Sequence, residues 1–256
     1  MDTLRQRLAR GETVRIAGVG RVLHHNLIQM LGISGHFHGL WFDLEHVGNA
    51  VESLEIGMIA ARAVGLDSFV RMPPTDYAIV TRCFEAGASG VMAAQIRTVD
   101  EAETFVRWAK FAPRGQRGLN SGGFDARFGR IPPAEFTRRA NAELMVLIQI
   151  ETAEAVECCD RLAAIDGVDM LFVGPADLSQ ALGVTGEFMH PKCLAALDRV
   201  GAACRAAGKS WGVVPASPEH GRACVDRGCR MLSITSDTRL INFGIDAVAE
   251  KFRAFL

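Results

Sequence analysis

Apolar and polar positions alternate along the chain in an order that predicts a parallel sheet wrapped by helices. Short runs rich in apolar and β-branched residues are each followed by a longer stretch in which apolar residues return every three or four positions. This order is typical of βα units. We predict eight strands, near Thr13–Val19, Gly39–Asp43, Asp67–Arg71, Ser89–Ala93, Met145–Ile150, Met170–Val173, Ser210–Val214 and Arg230–Ile234.

Eight such units favour a closed (β/α)8 barrel, a TIM barrel, over an open sheet. The chain of 256 residues has the usual length of one such barrel, so a single domain over residues 1–256 is expected. Helices are predicted, for example, at Val51–Val64 and Val99–Lys110. Gly65 and Gly228 follow helical runs and are expected to end them in the left-handed conformation.

Two connections are longer than the others. Residues Phe111–Ala140 contain the Gly- and Arg-rich run RGQRGLNSGGFDARFGR, and loops of this length in a compact domain are usually lids or binding loops. Its arginines are suited to phosphate, although a solvated lid is the simpler interpretation. The stretch Leu178–Pro191 is predicted to form a short helix and a rim loop.

Composition narrows the class of protein. The chain has 49% hydrophobic and 22% charged residues and a net charge of −1, so no nucleic-acid or membrane partner is expected. No apolar segment follows the opening residues as in a signal peptide, and a cytoplasmic protein is predicted. The seven cysteines include no C-x-x-C pair and are expected to be small buried residues.

Polar residues follow the predicted strands where barrel enzymes place their active sites, at the C-terminal strand ends. A helix cap or a surface ion pair would explain any one of them. Burying this many charged groups together, however, is costly unless they pair or bind a cation. The candidates are Asp43, Glu45, His46, Arg71, Gln149, Glu151 and Asp177.

Glu151 and Asp177 are the predicted metal ligands. Two carboxylates from neighbouring strands leave coordination positions for water and for a bidentate 2-keto acid, as is usual for Mg²⁺. Mn²⁺ is equally compatible, and Co²⁺ is a further candidate. His46 is suited to proton transfer with Asp43 or Glu45 orienting it, and the planar fork of Arg71 matches a carboxylate or a developing enolate.

Five motifs occur in order over essentially the whole chain. They are D-x-E-H at Asp43–His46, V-R-x-P around Arg71, P-x-G-x-R-G at Pro113–Gly118, Q-I-E at Gln149–Glu151 and G-P-A-D-L-S at Gly174–Ser179. Together these motifs resemble those of the HpcH/HpaI aldolases, a family of metal-dependent pyruvate aldolases.

The resemblance implies reversible cleavage of a 4-hydroxy-2-oxo acid into pyruvate, or a related 2-keto acid, and an aldehyde through a metal-stabilised enolate. Glu151 and Asp177 would then ligate Mg²⁺ or Mn²⁺, and His46, held by Asp43, would assist proton transfer. The residues assigned to substrate binding are Arg71, Gln149, Ala176 and Asp177. The resemblance also implies that Arg117 contributes to binding or closure. It further implies a homo-hexamer, with a C-terminal helix at Leu240–Leu256 exchanged between subunits.

The sequence departs from the family pattern at two places. Leu44 stands where relatives have glycine, and Arg21, His24 and His25 follow the first strand where relatives often have a tryptophan. Arg21, His25 and Glu45 are therefore candidate acceptor residues, although an exposed helix start explains Arg21 and His25 equally well. The alternative function on this fold is condensation of oxaloacetate with acetyl-CoA to citrate for siderophores. A third hypothesis is a non-catalytic protein that binds a keto acid or metal.

Overall fold

The computed structural model describes residues 2–255 and contains a closed barrel of parallel strands in chain order. The strands are β1 (Val14–Val19), β2 (Gly39–Asp43), β3 (Asp67–Met72), β4 (Gly90–Ala93), β5 (Met145–Ile150), β6 (Met170–Val173), β7 (Ser210–Val213) and β8 (Cys229–Ser236). The helices are α1 (Leu4–Ala9), α2 (His25–Ile33), α3 (Val51–Ala63), α4 (Tyr77–Glu85), α5 (Val99–Ala109), α6 (Pro133–Glu143), α7 (Ala153–Glu157), α8 (Cys159–Ala164), α9 (Pro175–Ala181), α10 (Pro191–Ala206), α11 (Pro218–Asp226) and α12 (Asp237–Lys251). Because β8 closes on β1, the predicted (β/α)8 barrel is confirmed.

The predicted strands agree with the structure to within two residues. Strand β8 extends beyond its predicted end because Thr235 and Ser236 still pair with β1 after a shift of register. Helices α3 and α5 each end one residue before the predicted position. Gly65 and Gly228 have φ values of +83° and +92°, so both adopt the left-handed conformation that was predicted.

The long connection after α5 contains a helix that was predicted as loop. Helix α6 begins with Pro133, whose missing N–H is not needed in a first helical turn. Its residues Phe136 and Ala140 lie on one face and pack with Phe111 in a small separate cluster. Because the segment is mostly polar, its sequence did not reveal this apolar face. The short helix predicted within Leu178–Pro191 also begins earlier, at Pro175.

Two apolar layers build the protein. Side chains inside the barrel, among them Ile16, Phe69 and Phe172, form one cluster with Leu4 of α1. A larger cluster fills the space between the strands and the surrounding helices. All seven cysteines are buried, as predicted.

The N-terminal end of the barrel is closed by paired charges. Asp169, just before β6, accepts a hydrogen bond from the backbone N–H of Val146 at 2.8 Å and forms an ion pair with Arg5 of α1. Lys110 lies 3.6 Å from the same carboxylate and donates to the carbonyls of Asn141 and Leu144. These contacts tie four parts of the chain together below β5 and β6.

The last strand is covered less completely than the others. Ile234 of β8 points outward and is 41% exposed, whereas the outward residues Val70 of β3 and Ile148 of β5 are fully buried. Helix α12 contacts β8 but leaves Ile234 exposed, and its own apolar residues Phe243 and Val248 are 76% and 58% exposed. None of the helices described within residues 2–255 has both the length and the apolarity to span a membrane.

Candidate active site

A cavity of about 300 Å³ opens at the C-terminal ends of the strands. We call it the rim cavity. Its wall combines predicted and unpredicted residues, namely Trp41, His46, Arg71, Gln149, Gly174, Pro175, Ala176, Asp177, Phe188, Val214, Ala216, Ser233, Thr235, Ser236 and Arg239. Five of the predicted site residues therefore meet there, namely His46, Arg71, Gln149, Ala176 and Asp177.

Glu151 lies directly behind this wall and is 1% exposed. One carboxylate oxygen accepts the backbone N–H of Gln95 at 2.7 Å, and the other accepts the side-chain amide of Gln149. Burial, reinforced by the negative charges of Glu45 and Asp177, raises the pKa of Glu151 to about 7. The carboxylate therefore lies near other acids, and no basic side chain in the described part of the chain donates a hydrogen bond to it.

Local backbone geometry brings these groups together. Gln95 has a φ of +54°, which is uncommon for a residue with a Cβ, and in this turn its N–H reaches Glu151. At Gly174 a Cβ would lie 2.6 Å from Oε2 of Glu151 and 2.7 Å from Nε2 of Gln149. A side chain at this position would therefore displace the carboxylate of Glu151 or the amide of Gln149, and Asp177 follows in the first turn of α9.

Arg71 is held in one orientation by two acids. Its Nε and Nη2 donate to the two oxygens of Asp43 at 3.1 and 2.7 Å, the bidentate geometry that arginine favours. Its Nη1 lies 3.1 Å from Oε2 of Glu45, without the alignment of a hydrogen bond. Burial raises the pKa of Asp43, but the hydrogen bonds and charge of Arg71 outweigh this effect, and the pKa is lowered overall. Burial raises the pKa of Glu45 despite the Arg71 charge.

The predicted contact between Asp43 and the His46 ring is wrong. The Asp43 carboxylate is occupied by Arg71 and by the backbone N–H of Glu45 at 2.9 Å. The His46 ring is 57% exposed, and its Nε2 lies 3.8 Å from Glu45. Asp43 therefore organises the backbone of this turn, and Glu45, the other residue considered from the sequence, is the carboxylate beside the ring.

The group around Glu151 fits a divalent cation that prefers oxygen ligands. The negative charge of Asp177 adds to burial in raising the pKa of both Glu151 and Glu45, and Oε1 of Gln149 is buried with no hydrogen-bond partner among residues 2–255. A cation would offset the cost of burying these charges. Within residues 2–255, no group of three or more His, Cys, Asp or Glu side chains is arranged as a complete metal site. Two carboxylates with substrate and water are a usual set for Mg²⁺.

Three further sequence candidates lie outside the cavity wall. Arg21 and His25 are exposed; the backbone around Arg21 is held by Asp237, and the His25 ring stacks on His24. Arg117, predicted in a lid, is 5% exposed. It pairs with Asp125 among aromatic rings contributed by Phe84, Phe111 and Phe136. The position of Arg117 thus corrects the lid prediction, because a side chain enclosed in this way supports the loop from inside.

Several cavity residues were not predicted from the sequence. Leu44, which stands where relatives have glycine, is not among them and packs against the apolar cluster between strands and helices. Trp41 lines the cavity together with Ser233, Thr235 and Arg239. The alternation of Ser233 and Thr235 at the end of an apolar strand was the available signal, because alternate residues of a barrel strand face the interior.

A closed parallel barrel with buried acids, an arginine and a histidine at its C-terminal strand ends is the arrangement of a barrel enzyme. The family model described as HpcH/HpaI aldolase/citrate lyase matches residues 23–242, so the chain belongs to this family. The resemblance read from the motifs is confirmed, and the chain is an enzyme of the lyase class.

Individual relatives agree with this assignment. The chain is 29% identical to a hydroxypyruvate/pyruvate aldolase of Roseobacter denitrificans, over 99% of this chain and 98% of the relative. It is 32% identical to a 4-hydroxy-2-oxo-heptane-1,7-dioate aldolase of Salmonella dublin, over 85% and 82% of the two chains. A crystal structure of an HpcH/HpaI aldolase from Desulfitobacterium hafniense superposes with a TM-score of 0.92 at 27% identity, covering 99% and 97%.

Proposed function

We propose that the protein is a divalent-metal-dependent aldolase that cleaves a 4-hydroxy-2-oxo acid into pyruvate, or a related 2-keto acid, and an aldehyde. The observation that carries this proposal is the position of Glu151 and Asp177, two crowded carboxylates beside the fixed guanidinium of Arg71. Such an arrangement can bind a cation and an anionic keto acid in the same cavity. The relatives named as aldolases of hydroxypyruvate, pyruvate and a hydroxy-oxo diacid support this chemistry.

At the keto-acid end, Glu151 and Asp177 would hold Mg²⁺, Mn²⁺ or Co²⁺. The bound cation supplies Lewis-acid stabilisation of negative charge on the keto acid. Arg71 directs N–H groups to the oxygen on which enolate charge develops, an electrostatic contribution that oriented donors make without reorganisation. Gln149 orients Glu151, and Ala176 lies in a first helical turn, where backbone N–H groups lack helical partners.

At the aldehyde end, His46 is suited to take the proton of the aldol hydroxyl. Cleavage then breaks the carbon–carbon bond, forms the aldehyde carbonyl, and leaves the bonding electrons on the enolate. Glu45 is the carboxylate beside this ring, 3.8 Å from Nε2. No Schiff base is required, since Lys110 and Lys209 bind backbone carbonyls away from the cavity.

The cavity wall suggests the acceptor more directly than the predicted residues do. Arg21 and His25 do not line the cavity, whereas the hydroxyls of Ser233, Thr235 and Ser236 do, with Arg239 beside them. These groups favour an aldehyde with polar or anionic substituents, because hydroxyls and guanidinium groups bind such groups. A wholly apolar aldehyde would leave them unpaired.

The first test is proton–deuterium exchange at the pyruvate methyl group, followed by NMR with Mg²⁺ or Mn²⁺ and then with excess chelator. We expect exchange that depends on added metal, followed by aldol addition to an acceptor aldehyde. Metal binding without exchange would contradict the aldolase proposal and favour the binding-protein hypothesis. Citrate formed from oxaloacetate and acetyl-CoA, without pyruvate exchange, would favour the alternative synthase.

We also propose that α12 is exchanged between subunits of a homo-oligomer, and the resemblance suggests a hexamer. The exposed outer face of β8 and the exposed apolar residues of α12 support exchange, since one such helix can cover the strand of a second copy. Replacing Phe243 with aspartate should lower the mass measured by light scattering. An unchanged oligomer, or a wild-type monomer at micromolar concentration, would contradict exchange.

A further inference from the structure

Trp41 lines the rim cavity and contacts Arg71, and the proposed function gives it no role. It lies on β2 two residues before Asp43, so both side chains point into the barrel. Its ring packs on the interior cluster and lines the floor of the rim cavity. A tryptophan at this level occupies space that a smaller residue would leave open below Arg71.

Three contacts determine the position of the indole. Its Nε1 donates to Oγ of Ser233 on β8 at 2.8 Å. A Cβ at Gly18 of β1 would lie 3.0 Å from its Cζ2, so glycine there makes room for the ring. Finally, Cζ of Arg71 lies 4.7 Å from the ring centre, over its face. The ring thus reaches from β8, past β1, to the underside of Arg71.

We propose that Trp41 is a positioning residue that supports the guanidinium of Arg71 from below, an inference that rests on the proposed function. Asp43 binds two nitrogens of Arg71 along one edge and Glu45 lies beside the third, whereas the indole is the group that packs against the guanidinium from the barrel interior. The indole face restricts tilting of the guanidinium plane, because a cation over an aromatic ring is attracted to it, and more strongly where water is excluded. The N–H groups that Asp43 leaves free are thereby kept toward the rim cavity.

We expect Trp41 to affect the rate of the step in which negative charge develops on the enolate. Trp41→Leu removes the ring face and should lower kcat for metal-dependent pyruvate exchange by roughly five- to thirty-fold, the effect of one cation–π contact in a dry site. The KM for pyruvate should change by less than about threefold, because Arg71 would still pair with Asp43 and bind the ground state. Trp41→Phe keeps an aromatic face and should restore part of the rate.

Trp211 provides a matched control. Its Nε1 also donates to an oxygen, the carbonyl of Arg227 at 3.2 Å, but its ring lies in the cluster between barrel and helices. Trp211→Phe should therefore leave exchange within about twofold of wild type below its unfolding temperature. A residue that only fills space would instead lower stability in both variants and leave the kcat of folded protein unchanged.

Ligand-dependent fluorescence gives a second readout that does not require the leucine variant to fold. Oxalate, a planar mimic of the enolate, is titrated with Mg²⁺, and we expect an emission change that Trp41→Phe loses and Trp211→Phe retains. Wild-type exchange accompanied by an equal kcat in Trp41→Leu, or by an oxalate response retained in Trp41→Phe, would overturn this inference alone. No metal-dependent exchange in the wild type would overturn the proposed function and this inference with it.

Discussion

The carboxylates at the two ends of β5 and β6, the part-buried Asp169 and the buried Glu151, have opposite surroundings. At the N-terminal end, Asp169 contacts Arg5, Lys110 and the backbone N–H of Val146. At the C-terminal end, Glu151 receives two amide hydrogen bonds and lies near the acids Glu45 and Asp177. The negative charge of Asp169 is thus paired with basic side chains, whereas Glu151 adds its charge to those of neighbouring acids.

This difference separates stability from function within one barrel. A paired carboxylate contributes to folding, and removing it leaves its partners uncompensated. A crowded carboxylate costs folding free energy, and a bound cation recovers that cost. The comparison therefore predicts opposite consequences for the same kind of substitution at the two ends.

The largest expected effect is on activity at the C-terminal end. Glu151→Gln or Asp177→Asn should reduce metal-dependent exchange by about a thousandfold or more, since each removes a proposed metal ligand. In chelator the unfolding midpoint should stay the same or rise, because one negative charge leaves the crowded group. The control is Glu154→Gln, an exposed residue paired with Arg97. Retained exchange in either site variant would refute the proposed metal ligands.

The second effect is on stability at the N-terminal end. Asp169→Asn should lower the free energy of unfolding by about 2–4 kcal/mol, because Lys110, whose side chain is 3% exposed, loses its carboxylate. Denaturant unfolding measures this loss, and exchange per folded molecule should remain unchanged. Glu103→Gln, which breaks a more exposed pair with Arg114, should cost less than about 1 kcal/mol. Equal losses of unfolding free energy in the two variants would contradict a special stabilising role of Asp169.

The smallest effect is a dependence of metal stabilisation on pH. The pKa of Glu151 is raised from 4.5 to about 7 in the metal-free protein. A group whose pKa is raised on folding stabilises most below its unfolded pKa and loses this contribution as pH rises through the folded value. In the presence of chelator, the midpoint temperature of unfolding should therefore decrease as the pH is raised from 5 to 8.

Added Mg²⁺ should accordingly raise the unfolding midpoint more at pH 8 than at pH 5.5, by a few degrees, about the size expected for a change near 1 kcal/mol. Differential scanning fluorimetry at fixed ionic strength measures both midpoints. Glu151→Gln should abolish the difference between the two pH values. A metal effect that is constant with pH in the wild type would show that Glu151 does not titrate in this range.

The local pattern of apolar and polar residues was sufficient to predict the architecture. Eight apolar runs separated by helical periodicity predicted the barrel, and the carboxylates and Arg71 appeared at strand ends because parallel strands present the same end to one rim. Helix α6 was missed because its apolar face, Phe136 and Ala140, packs on a loop residue, Phe111, and is too narrow to stand out in a polar segment.

What the sequence by itself determined is the (β/α)8 fold, the family and the set of polar groups at the rim. Tertiary structure alone decided their partners: Asp43 binds Arg71 instead of the His46 ring, Arg117 is enclosed by aromatic rings, and Trp41 reaches Ser233 on the far side of β1. The physical reason is that periodicity reports which face of an element is buried. Ion pairs and ring contacts instead depend on distances between elements far apart in the chain, and those distances exist only once the barrel has closed.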